Sequence, residues 1–280
     1  MADTETIPEP ELPLQRLGAG RAAEVFAWSP GLVVKLARGP EFEEGLQYEA
    51  AALEAAAAAG IPVPKPRGIV THEGRIGLLM DRIEGTDVLS ILEKQPWRVW
   101  SLAGMTGRLH VQLGGTPAPA GAHDVLAGAR RIVAESPHVP DSARPRLLTI
   151  LDQVRPGTQL CHLDFHPGNV MLSPEGPIII DFPNAASGPA LADHAKSWVI
   201  LTAGSPQPDT PVLSRLLIKV FRKLARAAYM RTYRRDAPYD SLEFARWKAI
   251  AVAVRLNEGI QTERESLLRL LSSSLRAANG

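Results

Sequence analysis

The chain has 280 residues, 45% of them hydrophobic, and its 31 basic and 30 acidic side chains leave a net charge of +1. That composition excludes a chain disordered throughout, and the near-zero charge gives no global field for holding a nucleic acid or an anionic membrane surface. The charges are divided along the chain, with ten acids and four bases in residues 1–60 and fourteen bases and six acids in residues 211–280.

Residues 1–11, acidic and proline-rich, read as a flexible tail. A strand at 14–17 ends in Gly18-Ala19-Gly20, a second fits 24–28, and after the turn Ser29-Pro30-Gly31 a third runs through Leu32-Val33-Val34-Lys35-Leu36. Alanine, leucine and glutamate predict a helix over 42–59, which Gly60, Pro62 and Pro64 stop. Two strands, 68–71 and 75–80, flank His72-Glu73-Gly74. Beyond Gly85 the pattern becomes helical: Thr86 or Asp87 caps a short helix through Leu92, and longer ones fit 97–113, 124–134 and 142–153. A strand pair at 170–172 and 178–181 surrounds Pro174-Glu175-Gly176, and the remainder is helical. Pro211 opens a helix whose apolar stripe is Leu213, Leu216, Leu217, Val220, Phe221 and Leu224, with bases at 219, 222, 223 and 226 on the opposite face, read as solvated with an anionic substrate or partner as the alternative. A small β-rich unit thus precedes a larger helical one, an α+β arrangement: tail 1–11, first lobe 12–83, second lobe 84–280.

The single cysteine, Cys161, permits no internal disulfide and no thiolate metal cluster, and no run reaches 18 apolar residues. The acidic N-terminus is unlike a secretory signal, which is basic and then apolar. These features predict a soluble protein of the reducing cytoplasm, with no nucleic-acid or membrane partner.

The densest chemistry lies in His162-Leu163-Asp164-Phe165-His166-Pro167-Gly168-Asn169, followed twelve residues later by Asp181 at the end of an apolar run. A loop, a strand, a tight turn and a returning strand would bring Asn169 and Asp181 face to face. An amide oxygen and a carboxylate, completed by phosphate oxygens, suit a hard cation such as Mg²⁺. Asp164, five residues before Asn169, can stand beside the metal and accept a proton from an attacking hydroxyl.

His162-x-Asp164-x4-Asn169 with Asp181-Phe182 resembles the catalytic loop and metal aspartate of the protein-kinase superfamily. His166-Pro167-Gly168-Asn169 and Gly188-Pro189-x3-Asp193 are similar to the aminoglycoside phosphotransferase and choline kinase branch, in which an aspartate typically begins the helix after the metal site. The resemblance spans nearly the whole chain. It implies a two-lobed protein-kinase-like fold binding ATP between the lobes, with Asp164 as base and Asn169 and Asp181 on Mg²⁺. Gly18 and Gly20 would let the backbone approach phosphate oxygens, although alanine replaces the third glycine of the usual loop. Lys35, mid-strand among apolar residues, needs an anionic partner. The resemblance supplies the α/β-phosphates and a glutamate of the following helix, Glu49, with Glu43, Glu44 and Glu54 as alternatives. It also makes the backbone at Met80, Asp81 and Ile83 the adenine-binding hinge, and His166, where protein kinases have lysine, a γ-phosphate contact. Leu163 stands where glycine or arginine is common, and His194 follows Asp193 where an aliphatic residue is usual.

The implied activity is transfer of the γ-phosphate of ATP to a hydroxyl of a small molecule such as an antibiotic, an amino alcohol or a sugar-like metabolite, by a monomer or homodimer. Two rivals share the fold: a catalytically silent nucleotide-binding module and a protein-directed kinase. The retained Asp164, Asn169 and Asp181 weigh against the first, and the missing Ala-Pro-Glu segment against the second. His162, Asp164 and His166 could instead share one face of a strand as a transition-metal site, a reading that leaves Lys35 and the glycines unexplained.

Overall fold

The computed structural model describes residues 8–203 and 212–278, with side chains described for 8–203 and 220–278. The expected tail at 1–7 and the helix start at Pro211 lie outside them, as do the side chains of Leu213, Leu216, Leu217 and Lys219. The chain divides into two compact units. One holds the residues up to Thr86 together with Met171–Ala185, and the other holds Asp87–Val170 and Ala186–Gly280. The segment carrying Asp181 therefore belongs to the first unit, whereas the sequence reading runs 84–280 as one lobe.

The first unit is built on a five-stranded antiparallel sheet in the order β1 (Arg16–Ala19), β2 (Ala23–Ser29), β3 (Leu32–Ala37), β5 (Arg75–Asp81), β4 (Pro66–His72). Gly31 takes the positive φ that the β2–β3 turn requires. Strand alternation sorts β3 onto two faces. Val34 and Leu36 pack with Trp28 and Leu79 on one face, and Lys35 points to the other. Gly77 has to be glycine there, because a Cβ would stand 2.6 Å from Leu36 Cδ2 and 2.7 Å from Val34 Cγ2.

Helix α1 (Glu43–Ala58) covers the sheet. Leu46, Glu49, Ala50, Leu53 and Ala56 form its buried stripe at helical spacing, and Gly60, at positive φ, closes it with Ile61 N–H on Ala56 O. Residues 8–11 do not behave as loose tail. Trp28 Nε1 donates to Pro8 O and Glu11 N–H to Trp28 O, both at 2.7 Å.

The second unit begins within β6 (Thr86–Asp87) and goes on to α2 (Val88–Lys94), capped by the Asp87 carboxylate on Ser90 N–H. It continues through α3 (Val99–Leu113), α4 (Val125–Glu135) and α5 (Arg144–Leu151). Two three-residue strands, β7 (Gln159–Cys161) and β10 (Ala186–Gly188), pair antiparallel and bracket the motif region. The sequence reading misses both, since three residues show no period. Between them, β8 (Val170–Ser173) and β9 (Gly176–Ile179) correspond to the expected strand pair, and Ile179 N–H on Pro62 O ties β9 to the segment following α1. Helices α6 (Ala190–Ala203), α7 (Val212–Asp236), α8 (Ser241–Asn257) and α9 (Gln261–Ala277) complete the unit around Val199, Trp247, Ile250 and Leu267. Among the described residues no helix is long and apolar enough to cross a membrane.

The face of α7 differs from expectation. Val220 is 51% and Leu224 39% exposed, whereas Ala225, Ala228, Tyr229 and Tyr233 are buried. The reason lies in α3, whose Gly104 and Gly107 let the two helices approach closely. A Cβ on Gly107 would sit 2.9 Å from Tyr229 O, and one on Gly104 would sit 3.2 Å from Thr232 Oγ1. Small residues opposite aromatic ones decide which side of α7 packs, over the count of leucines.

Candidate active site

Of the glutamates on α1, Glu49 is the one on the inner stripe, with its side chain 2% exposed. Lys35 Nζ donates to Glu49 Oε1 and to Asp181 Oδ1, each at 2.8 Å, and Phe182 N–H also donates to Glu49 Oε1 at 3.1 Å. Asp181 stands at φ 66, a conformation aspartate tolerates better than most residues, and is 45% exposed. Burial works against charge on Lys35, yet the Glu49 and Asp181 carboxylates outweigh it and hold the lysine above its ordinary range. Burial pushes Glu49 up, and its Oε2 has no hydrogen-bond partner. The trio is a buried carboxylate fixing a lysine that presents its charge to a partly exposed carboxylate.

Gly18 lies in β1 opposite Val25, and Gly20 in the β1–β2 turn. Neither has positive φ, a Cβ on Gly18 would meet nothing within 4 Å, and one on Gly20 only Ala23 O at 3.6 Å. The fold itself therefore leaves the space over these glycines open. Gly20 N–H bonds Ala23 O and its carbonyl accepts from Arg38 Nε at 3.0 Å, which steadies the turn. At the end of β5, Met80 is buried and the Asp81 carboxylate accepts from Arg67 Nε at 2.7 Å. Asp81 N–H and Arg82 N–H are engaged by Lys65 O and Gly31 O, and Ile83 follows outside the strand, half-buried.

In the second unit the motif forms a tight loop around Asp164. Asn169 Nδ2 donates to Asp164 O at 2.9 Å and reaches Asp164 Oδ2 at 3.5 Å, so the amide nitrogen is committed and Oδ1 is the oxygen left to ligate. His166 Nδ1 accepts from Gly168 N–H at 3.0 Å, and its Nε2 lies 4.0 Å from Asp164 Oδ2. His162 is fully buried and accepts Asp164 N–H on Nδ1 at 3.3 Å. That orientation makes it a structural ring. Among the described residues no group of three His, Cys, Asp or Glu side chains could hold a metal ion, so the His-x-Asp-x-His alternative has no site there.

Leu163, immediately before Asp164, takes φ 61, which for a non-glycine residue costs about 1–2 kcal/mol. The buried Asp193 carboxylate offsets that strain by accepting His162 N–H at 2.6 Å and Leu163 N–H at 2.8 Å. Burial alone would raise Asp193, but the His110 and His162 rings and the His162 N–H hold it below the usual carboxylate range. His110 Nε2 is 2.9 Å from Asp193 Oδ2, and its Nδ1 is 2.7 Å from Tyr229 OH, which also lies 2.9 Å from His194 Nδ1. His110 and Tyr229 escape the sequence reading because a lone histidine or tyrosine on an apolar helix carries no motif.

The His194 ring stacks on Tyr233 at 3.6 Å, and burial, helped by His110, depresses its pKa to about 2. Unfolded, it takes a proton near 6.5, so acid favours the unfolded chain and stability falls as pH drops below that value. This group removes about 2 kcal/mol between pH 7 and pH 5. His194→Phe is expected to flatten that dependence in urea unfolding at the two pH values, while losing about 1 kcal/mol at pH 7 with the Tyr229 bond. An unchanged pH slope in the variant would refute the assignment.

The predicted residues thus fall into two groups: Gly18, Gly20, Lys35, Glu49, Met80, Asp81, Ile83 and Asp181 in the first unit, and Asp164, His166 and Asn169 in the second. An antiparallel sheet with a lysine–glutamate pair, followed by a helical unit carrying an ordered Asp-x4-Asn loop, defines a kinase-like fold. The sequence profile of the phosphotransferase enzyme family matches residues 13–239, and the chain belongs to that family. Its class of reaction is phosphoryl transfer. No curated protein sequence matches the chain.

Among solved structures, the amicoumacin kinase hAmiN, in complex with AMP-PNP, Ca²⁺ and Ami, is similar with TM-score 0.63 at 15% identity, over 96% of this chain and 90% of that one. A choline/ethanolamine kinase family protein from Mesorhizobium loti gives 0.62 at 17% identity over 96% and 93%. A thermostable mutant of aminoglycoside phosphotransferase APH(4)-Ia gives 0.63 at 16% over 95% of each. At such identities these likenesses speak for the fold.

Proposed function

We propose that the chain is an ATP- and Mg²⁺-dependent kinase that moves the γ-phosphoryl group to a hydroxyl of a small molecule. The observation that carries this reading is Lys35 Nζ bonded at 2.8 Å to both Glu49 and Asp181. A buried glutamate holds the lysine charged and in place for the α/β-phosphates, next to a carboxylate able to serve a cation. The open space over Gly18 and Gly20 suits backbone approach to phosphate oxygens. The amicoumacin kinase bound to AMP-PNP and Ca²⁺ lends support to a nucleotide with a divalent ion.

Asn169 Oδ1 and the Asp181 carboxylate are a hard-oxygen donor set that fits Mg²⁺. Bound there, the ion would neutralise charge on the phosphate oxygens. Asp164 orients the acceptor hydroxyl and takes its proton as the oxygen bonds to the γ-phosphorus. The bond from that phosphorus to the β-γ bridging oxygen breaks, and ADP leaves. Met80, Asp81 and Ile83 would supply the hinge for adenine, and His166, beside Asp164, would reach a γ-phosphate oxygen.

ADP release measured against amino sugars, amino alcohols, sugars and macrolides, with and without Mg²⁺, tests the reading. Turnover that requires Mg²⁺ and one class of acceptor is expected. ATP that neither binds nor turns over in any arm would contradict it.

A further inference from the structure

Four helices of the second unit bring charged side chains together beside Asp164. Lys196 on α6 is 5% exposed and paired with Glu258 at the end of α8. It lies one helical turn beyond Asp193, the residue that anchors the backbone leading into Asp164. Arg255 on α8 grips Glu263 of α9 with two bonds, 2.8 Å from Nε to Oε2 and 2.9 Å from Nη2 to Oε1, and its Nη1 holds the other oxygen of Glu258. Burial works against charge on both bases: it holds Lys196 below its ordinary range despite Glu258 and Asp164, whereas on Arg255 the carboxylates of Glu263, Glu258 and Asp164 outweigh it. On Arg222 of α7 burial works against the charge, Glu263 opposes that effect and Arg255 adds to it, and its Nη1 is buried with no hydrogen-bond partner.

Each of the four carboxylate oxygens of Glu258 and Glu263 already takes a bond from Lys196 or Arg255. Two donor groups stand open: Lys196 can donate three hydrogen bonds and has one partner, and Arg222 Nη1 has none. With Asp164 counted, three bases meet three acids, so the open donors and not a net charge are what a ligand would satisfy, in an interior where an unpaired donor is costly.

From these open donors we infer that the acceptor carries an anionic group, a carboxylate or a phosphate, drawn to Arg222 and Lys196 beside Asp164, and that polycationic acceptors are disfavoured. This rests on the phosphotransfer reading above and names its substrate class. Part of the basic stretch 219–235, expected to be a solvated face, would then serve the acceptor.

The test uses hydroxy acids and phosphorylated alcohols, each beside its uncharged counterpart, as with glycerate, glycerol 3-phosphate and glycerol, plus kanamycin as a polycation. We expect kcat/KM at least tenfold higher for a charged member than for its neutral partner or kanamycin, and the charged arms separate carboxylate from phosphate. Arg222→Met should erase the advantage with Mg²⁺–ATP affinity unchanged, and Arg222→Lys should retain most of it. Calorimetric titration of the same compounds reads the preference without turnover. Silence in the turnover assay with charge-selective binding would count against phosphotransfer alone. No preference anywhere in the panel, or a preference that survives in Arg222→Met, overturns the inference.

Discussion

Asp164→Ala is expected to lower kcat by about 10²–10⁴-fold, the usual contribution of a positioned general base, while Mg²⁺–ATP binds within about threefold of wild type, a change of under about 1 kcal/mol. The separation follows from the geometry. Asn169 Nδ2 makes its 2.9 Å bond to the main-chain oxygen of Asp164, which alanine keeps, and gives up only the 3.5 Å contact to Oδ2. Leu163 stays anchored through Asp193, so the loop retains its shape. Single-turnover ADP formation and calorimetry with a non-hydrolysable nucleotide separate the two effects. Full turnover in the variant would remove Asp164 from the chemistry, and lost nucleotide affinity would make it a binding residue.

Asp181→Ala is expected to do the opposite. Without the carboxylate, Mg²⁺ should no longer strengthen ATP binding, so affinity measured with the metal falls at least tenfold, to its metal-free value. The Lys35–Glu49 bond is independent of Asp181, and the Phe182 N–H bond to Glu49 is a main-chain one. The local frame therefore survives the change, although alanine is less suited than aspartate to φ 66. A Mg²⁺ titration of nucleotide affinity reads this directly, and a variant whose affinity still rises with the metal would place the ligand elsewhere. Equal affinity and equal turnover in the Asp164 and Asp181 variants would undo both assignments.

The sequence reading locates Lys35 because a lysine inside a β-branched strand is costly without a partner, but periodicity alone does not choose among four glutamates on α1. Only helix phase against the sheet does so, turning Glu49 inward with Leu46, Ala50 and Leu53. Leu163 shows the converse. The sequence departs there from the residues usual at that place, and the position has positive φ, which glycine adopts freely and leucine adopts under strain that Asp193 relieves. On α7, Val220 and Leu224 are left exposed because Gly104 and Gly107 of the partner helix select the aromatic side. The helix and strand order was legible because long segments repeat their pattern, and β7 and β10 were not because three residues cannot.

From its order of residues alone, this protein determined a β-rich unit followed by a helical one, the Asp164-x4-Asn169 loop, and the carboxylate at 181 after an apolar strand. Those features are local: they need only neighbours in the chain, a turn, a periodicity or a spacing. Tertiary structure decided which glutamate meets Lys35, that the segment 171–185 belongs with the sheet, that His110 and Tyr229 stand behind Asp193, and that Lys196, Arg222 and Arg255 gather with Glu258 and Glu263. Each of these joins groups tens of residues apart whose energies depend on burial and distance, and neither quantity exists until the helices and strands have packed.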